Sequence, residues 1–256
     1  MKNYPWDEWK KKTKQEKEAE KSLALAKKII LKNIPNKEIV SIYVGGSFLR
    51  REMNEKSDVD LWVIVKDTKL LERIRKLGEE HRHDREPFLG ISGYSIEELK
   101  IGEQLDGKLR PNPSRFLKRL DTMVLIYGKA LNPKNFKMRA DKGELNKLIK
   151  AFNNIFLPLY YKGELGFSYI IKQVFWLVEL EQKVEGKKWE HSFKGMAELI
   201  KNKNHIIHDA LKFRSEKIKD KKRREKFITK LKRYLKDLQN KQKKKKKKPI
   251  RMHKKP

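Results

Sequence analysis

The stretch Val44-Gly45-Gly46-Ser47, followed by Arg50 and then by Ser57-Asp58-Val59-Asp60, sets a carboxylate pair eleven positions behind a glycine turn. Two glycines let backbone approach a ligand closely. If a short helix opens after them, its free N–H groups and the Ser47 hydroxyl point at an anion such as a triphosphate. Asp58 and Asp60 stand two apart in a run of strand-forming residues that ends at Val65, so a strand turns both to one face. Carboxylates that close repel each other, and the repulsion raises the proton affinity of one unless a cation sits between them. Magnesium resolves this simply, because it takes a few carboxylates together with phosphate oxygens. The stretch reads as a phosphate cradle followed by a metal site. In a two-metal arrangement, ions about 3.5 to 4 Å apart clamp the attacking and leaving oxygens of a displacement.

Gly-Gly-Ser, an Arg three positions after the Ser, and Ser-Asp-Val-Asp at this spacing resemble the DNA polymerase β-like nucleotidyltransferase superfamily. The likeness is to its small branch of aminoglycoside nucleotidyltransferases and MNT-type proteins. It implies that Gly45, Gly46 and Ser47 hold the phosphates of a nucleoside triphosphate, that Arg50 sits near them, and that Asp58 and Asp60 bind Mg²⁺, with two ions in the site. It also implies a third carboxylate from a neighbouring strand, which ligates metal and acts as general base toward the incoming hydroxyl. The candidates are Asp84 and Glu86, in the segment from His81 to Ile91. Asp84 is favoured, as metal ligand and base, because an acid followed three positions later by Pro and an apolar residue resembles some antibiotic-modifying relatives. Glu86 shares its strand face and is the alternative. One departure stands out: the family often has Gly after the Arg, and Arg51 occupies that position, which predicts a differently shaped turn. His81 and His83 have no cysteine or further histidine near them in sequence, so they read as surface residues rather than zinc ligands.

Several elements must position these residues. Residues 6–33 read as a helix carrying Trp6, Trp9 and a later apolar face that includes Leu23, Ala26 and Ile30. It leads into a strand over 37–45, with a second strand over 58–65 and a helix over 68–80. Ser95 with Glu98 three later is a capping box that opens a helix. Asn112-Pro113-Ser114 caps a short helix through Leu120, and the run from Thr122 to Tyr127 is a strand closed by Gly128. Alternating strands and helices predict an α+β fold: a nucleotidyltransferase domain over 1–131, built as a small mixed β-sheet with helices. Lys108, Arg110, Arg115, Lys118 and Arg119 crowd the connection before the last strand and read as a solvated basic face, some of it within reach of a triphosphate. From Glu144 the periodicity is helical throughout, which predicts a C-terminal helical bundle over 144–240. Most of its aromatics read as core; a few, with Glu164, Glu179 or Glu181, are candidates to line an acceptor pocket.

Charge is distributed unevenly. Of a net +31, residues 212–256 carry 23 basic and 4 acidic side chains. Residues 221–240 read as an amphipathic basic helix, and 241–256 as a lysine-rich disordered tail, since a dense block of like charge repels itself and has nothing apolar to fold around. Such a tail would contact nucleic acid non-specifically, through phosphates. Residues 1–21 are highly charged and no apolar run approaches the roughly 18 residues of a membrane span, so no signal peptide or transmembrane segment is expected, and the expected location is the cytoplasm. Zero cysteines exclude disulfides, thiolate metal sites and cysteine nucleophiles.

The reading that follows is a metal-dependent nucleotidyltransferase moving a nucleoside monophosphate from an NTP to an acceptor hydroxyl, with release of pyrophosphate. The acceptor is a small molecule, a protein or an RNA. The alternative is a catalytically inactive nucleotidyltransferase-like module that binds RNA or a partner.

Overall fold

The computed structural model describes residues 3–55, 57–105, 112–216 and 220–247. The chain divides into two units, Met1–Arg139 and Ala140–Pro256.

In the first unit the order is α1 (Lys14–Asn33), β1 (Ile39–Gly45), α2 (Gly46–Leu49), β2 (Val59–Val65), α3 (Leu70–Glu80), β3 (Leu89–Ser95), α4 (Ile96–Ile101), α5 (Pro113–Leu117) and β4 (Val124–Gly128). The single helix expected over 6–33 is instead a 3-10 turn at Pro5–Glu8 followed by α1. Thr13 makes the break. Its hydroxyl accepts from the Glu16 N–H at 3.1 Å, and the Glu16 carboxylate accepts from the Thr13 N–H at 2.7 Å, a reciprocal cap that starts the helix there. Trp6 and Trp9, freed from the helix, pack against Phe48 with ring centroids 5.3 and 5.2 Å away.

The four strands form one mixed sheet in the order β3-β2-β1-β4. β1 runs antiparallel to both β2 and β4, while β2 and β3 are parallel and joined by the α3 crossover. Along β2, Val59, Leu61, Val63 and Val65 are wholly buried in a core shared with Ala26, Ile30, Ile74 and Leu77 of α1 and α3. Truncating Leu61 to Ala would cost about 2–5 kcal/mol. The opposite face of the pleat carries Asp58, Asp60, Trp62 and Ile64. Its far end is covered: Ile64 packs with Tyr43, Tyr94, Leu99 and Phe116, and Trp62 stacks on Tyr94 at 5.6 Å. The Ser95–Glu98 capping box and the Asn112 cap open α4 and α5 as the sequence predicts. Of the basic residues before β4, Lys108 and Arg110 lie outside the described residues, while Arg115, Lys118 and Arg119 are half-buried rather than solvated.

The described residues of the second unit form helices and their connections, with no strand among them. A run of α6 (Asp141–Ala151), a π-helical turn (Phe152–Phe156) and α7 (Leu157–Tyr161) is followed by α8 (Phe167–Val184), α9 (Phe193–Leu199), α10 (Ile206–Ser215) and α11 (Lys221–Lys247). α8 is the spine, with Ile170, Val174, Leu177 and Val178 buried. α9 and α10 are separate helices: His205 caps α10 by accepting from the Ile207 N–H at 3.3 Å. α11 continues past residue 240 to Lys247. Residues 248–256 lie outside the described residues. No helix among the described residues is long and apolar enough to cross a membrane.

One buried acid ties three of these helices together. Glu181 of α8 lies 3.6 Å from His205 Nε2, accepts from the Tyr234 hydroxyl and pairs with Lys241 Nζ at 3.1 Å. Burial pushes its carboxyl up, but these three partners outweigh burial and bring it down to about 2. Burial, and then the neighbouring Glu181 charge, push the Tyr234 hydroxyl well above its ordinary value. A carboxyl lowered on folding stabilises the protein fully above its unfolded value near pH 4.3, and that stability is lost as pH falls toward 2. Glu181→Gln is therefore expected to melt well below the wild type at pH 7, with the gap narrowing toward pH 3, as thermal denaturation across that range would record.

Candidate active site

The register of the sheet places three residues side by side. Gly45 of β1 pairs with Asp60 of β2, and Asp60 pairs with Gly90 of β3. The carboxylate of Asp60 is thus flanked by two residues without side chains. A Cβ placed on Gly90 would lie 3.4 Å from Asp60 Oδ1 and 3.7 Å from Asp58 Oδ2, so both carboxylates converge over that glycine. The paired orientation expected for Asp58 and Asp60 is what the pleat produces.

The glycine turn closes the other side. Gly46 has φ +78°, a conformation that L side chains rarely adopt, and a Cβ there would come within 1.9 Å of Asp60 Oδ2. The turn and the carboxylate therefore occupy adjoining space. Ser47 follows in α2 and is 8% exposed. Arg50 ends α2 and donates from Nε to Glu52 Oε2 at 2.9 Å. Gly45, Gly46, Asp58 and Asp60 are brought together; Ser47 and Arg50 sit on the turn that leaves them.

Asp84 and Glu86 are placed differently from expectation. Both lie in the loop between α3 and β3, not on a strand. Asp84 is bonded to His81 Nδ1 at 2.6 Å, and Glu86 is exposed. Beside Asp60, β3 presents Gly90, where a third carboxylate on the neighbouring strand would stand. Among the described residues no three of His, Cys, Asp and Glu gather closely enough to hold a metal ion. The near neighbour of the pair is a cation instead: Arg82 Nη2 lies 3.6 Å from Asp58 Oδ2. Sequence reasoning missed both Gly90 and Arg82. The Leu89-Gly90-Ile91-Ser92 alternation of large and small residues marks a strand, but which residue Gly90 meets depends on a parallel register no local pattern encodes.

Arg51, the departure from the family pattern, has φ +55°. Its backbone thus adopts the left-handed conformation that favours glycine. The side chain accounts for the strain being tolerated. Its Nε donates to Glu16 Oε1 at 3.0 Å, its Nη2 donates to the Lys11 carbonyl, and the guanidinium lies 4.9 Å from the Trp9 ring centroid. Glu16 is 3% exposed, and the hydrogen bond from Arg51, ahead of the opposing effect of burial, holds its carboxyl below the usual carboxylate range. The site's turn is thereby fastened to the N-terminus of α1.

The site is thus a glycine turn abutting two convergent carboxylates at one end of a mixed sheet. Residues 27–91 match the family model described as polymerase beta, nucleotidyltransferase, a segment that contains both glycines and both aspartates. The structure is also similar to that of a spectinomycin adenyltransferase from Enterococcus faecialis solved with ATP and spectinomycin. That match has a TM-score of 0.55 and 16% identity, over 85% of this chain and 99% of that one. No curated protein matches the chain in sequence. Residues 27–91 thus resemble a polymerase β-type nucleotidyltransferase domain, and the spectinomycin adenyltransferase has a similar fold.

The strain and the ion pair at Arg51 can be separated. Arg51→Gly relieves the backbone but loses the Glu16 partner; Arg51→Ala loses the partner and keeps the strain. The expected order of melting temperature is wild type, then Arg51→Gly, then Arg51→Ala, and an alanine variant as stable as the glycine one would contradict the strained turn.

Proposed function

We propose that the chain transfers a nucleoside monophosphate from an NTP to an acceptor hydroxyl, releasing pyrophosphate, with Asp58 and Asp60 holding Mg²⁺. The observation that carries this reading is the convergence of the two carboxylates over Gly90, with Gly46 kept bare beneath Asp60. The donor set suits the ion: hard carboxylate oxygens, few in number, beside a turn where phosphate oxygens can complete the coordination. When bound, Mg²⁺ would neutralise charge on the reacting phosphate and lower the pKa of the attacking hydroxyl.

The chain's own residues divide the remaining work. Asp58 and Asp60 orient the metal-bearing edge. Gly45 and Gly46 let the backbone reach the leaving phosphates, and Ser47 and Arg50 supply a hydroxyl and a charge on that side. Arg82, now beside Asp58, balances the carboxylates until substrate is in place. The hydroxyl's proton passes to a carboxylate of the 81–88 loop, either Asp84, with His81 behind it, or Glu86. The spectinomycin adenyltransferase likeness supports ATP as donor and a small molecule as acceptor.

The test is incubation of purified protein with Mg²⁺ and each α-³²P-labelled NTP, alone, with total RNA and with a panel of aminoglycoside-type small molecules. Label moving to a small molecule supports the reading in full, whereas label on RNA or on protein would reassign the acceptor. Asp60→Asn should lower transfer by about 10³-fold or more while the melting curve is kept, and EDTA should do the same to the wild type. Undiminished transfer by Asp60→Asn would remove the assignment of the site. Failure to bind any nucleotide would favour the inactive binding module.

A further inference from the structure

We infer that the outer face of α11 is a docking seam for the phosphate backbone of a base-paired nucleic acid. This surface belongs to the second unit and has no part in the nucleotidyl transfer proposed above.

The helix divides its residues cleanly by period. Phe227, Ile228, Leu231, Leu235 and Leu238 are at most 3% exposed and fill the bundle core. On the opposite side, at steps of three, four or seven, stand Lys222, Lys226, Arg233, Lys236 and Lys243, all exposed. The two remaining positions of that seam, Thr229 and Asn240, are uncharged; of the helix's exposed acids, Asp237 falls on a flank and Glu225 stands at the seam's edge, in phase with Lys243. From Lys222 to Lys243 the seam runs about 30 Å at 1.5 Å per residue, straight and rigid because the core side of the helix is packed.

The chemistry of the seam selects its partner. An amphipathic helix that binds a lipid surface needs a free apolar face, and here that face is consumed by the bundle. Proteins that hold single strands stack bases on aromatic side chains, and no aromatic stands on the seam. What remains is a rigid row of cations with nothing to read a base. A nucleic-acid double helix meets it with about one negative charge per 1.7 Å of its axis, and displaced counterions drive the binding. A flexible acidic peptide lacks both that density and that straightness.

The experiment uses the full chain without nucleotide or Mg²⁺ and follows fluorescence anisotropy of labelled 20-base-pair RNA and DNA duplexes, a 20-nucleotide single strand and, by co-sedimentation, phosphatidylserine vesicles. Both duplexes are expected to bind within about tenfold of each other, more tightly than the strand or the vesicles, with affinity falling steeply between 50 and 200 mM salt. The triple variant Lys226→Gln, Arg233→Gln and Lys236→Gln should weaken duplex binding at least tenfold and flatten the slope of log affinity against log salt by about 2 to 3. A control triple, Lys194→Gln, Lys201→Gln and Lys203→Gln, removes the same charge elsewhere on the unit and should change affinity less than threefold. The double variant Lys226→Arg and Lys236→Arg keeps the charge and should bind as the wild type does, which separates lost contacts from a disturbed helix. Equal weakening by both glutamine triples, no weakening by the seam triple, or preference for the strand or the vesicles would each overturn the proposal.

Discussion

Two carboxylates on one face of a strand repel each other, and the first unit is arranged so that Asp58 and Asp60 nevertheless stay there. Asp60 has a glycine to either side in the sheet register, Gly45 and Gly90, and a third glycine, Gly46, beneath its oxygen. A Cβ at Gly90 would lie against both carboxylates, and one at Gly46 would collide with Asp60 outright. The sheet supplies the rest of the constraint. Because every second residue of β2 is locked under α1 and α3, Asp58 and Asp60 have no freedom to turn inward, and the burial of Val59 and Leu61 holds them in place.

The turn beyond the glycines shows how a strained conformation is kept. Arg51 occupies the left-handed region without a glycine's freedom, and its guanidinium is held by Glu16, the Lys11 carbonyl and the face of Trp9. Glu16 also closes the cap that starts α1. One side chain therefore serves helix initiation and turn geometry together, and the segment before α1, with its two tryptophans on Phe48, becomes part of the scaffold behind α2.

The second unit separates its tasks by helical phase. In α11 the apolar residues serve the core, Tyr234 and Lys241 reach the buried Glu181, Lys230 pairs with Asp209, and Lys222, Lys226, Arg233, Lys236 and Lys243 are exposed. Glu179 is likewise occupied within the bundle, by Lys183 at 2.7 Å. Of the three glutamates considered for an acceptor pocket, Glu181 joins helices of the bundle and Glu179 pairs along α8; Glu164 is exposed.

What the sequence alone determined is what rests on short-range pattern. Glycines before a serine, aspartates two apart, caps at Ser95 and Asn112, and the switch from alternating to helical periodicity all depend on neighbours within a few positions. A strand's pleat turns Asp58 and Asp60 to one face wherever that strand lies. The Thr13–Glu16 cap was legible in the same way, though Trp6 and Trp9 masked it by continuing an apolar pattern. Only the tertiary structure decided what stands opposite. Gly90 beside Asp60, Arg82 beside Asp58, Arg51 against Glu16 and the Glu181 cluster join residues about 24 to 60 positions apart. Each is set by strand register or helix packing, which bury the whole chain at once, so no local run of residues can announce it.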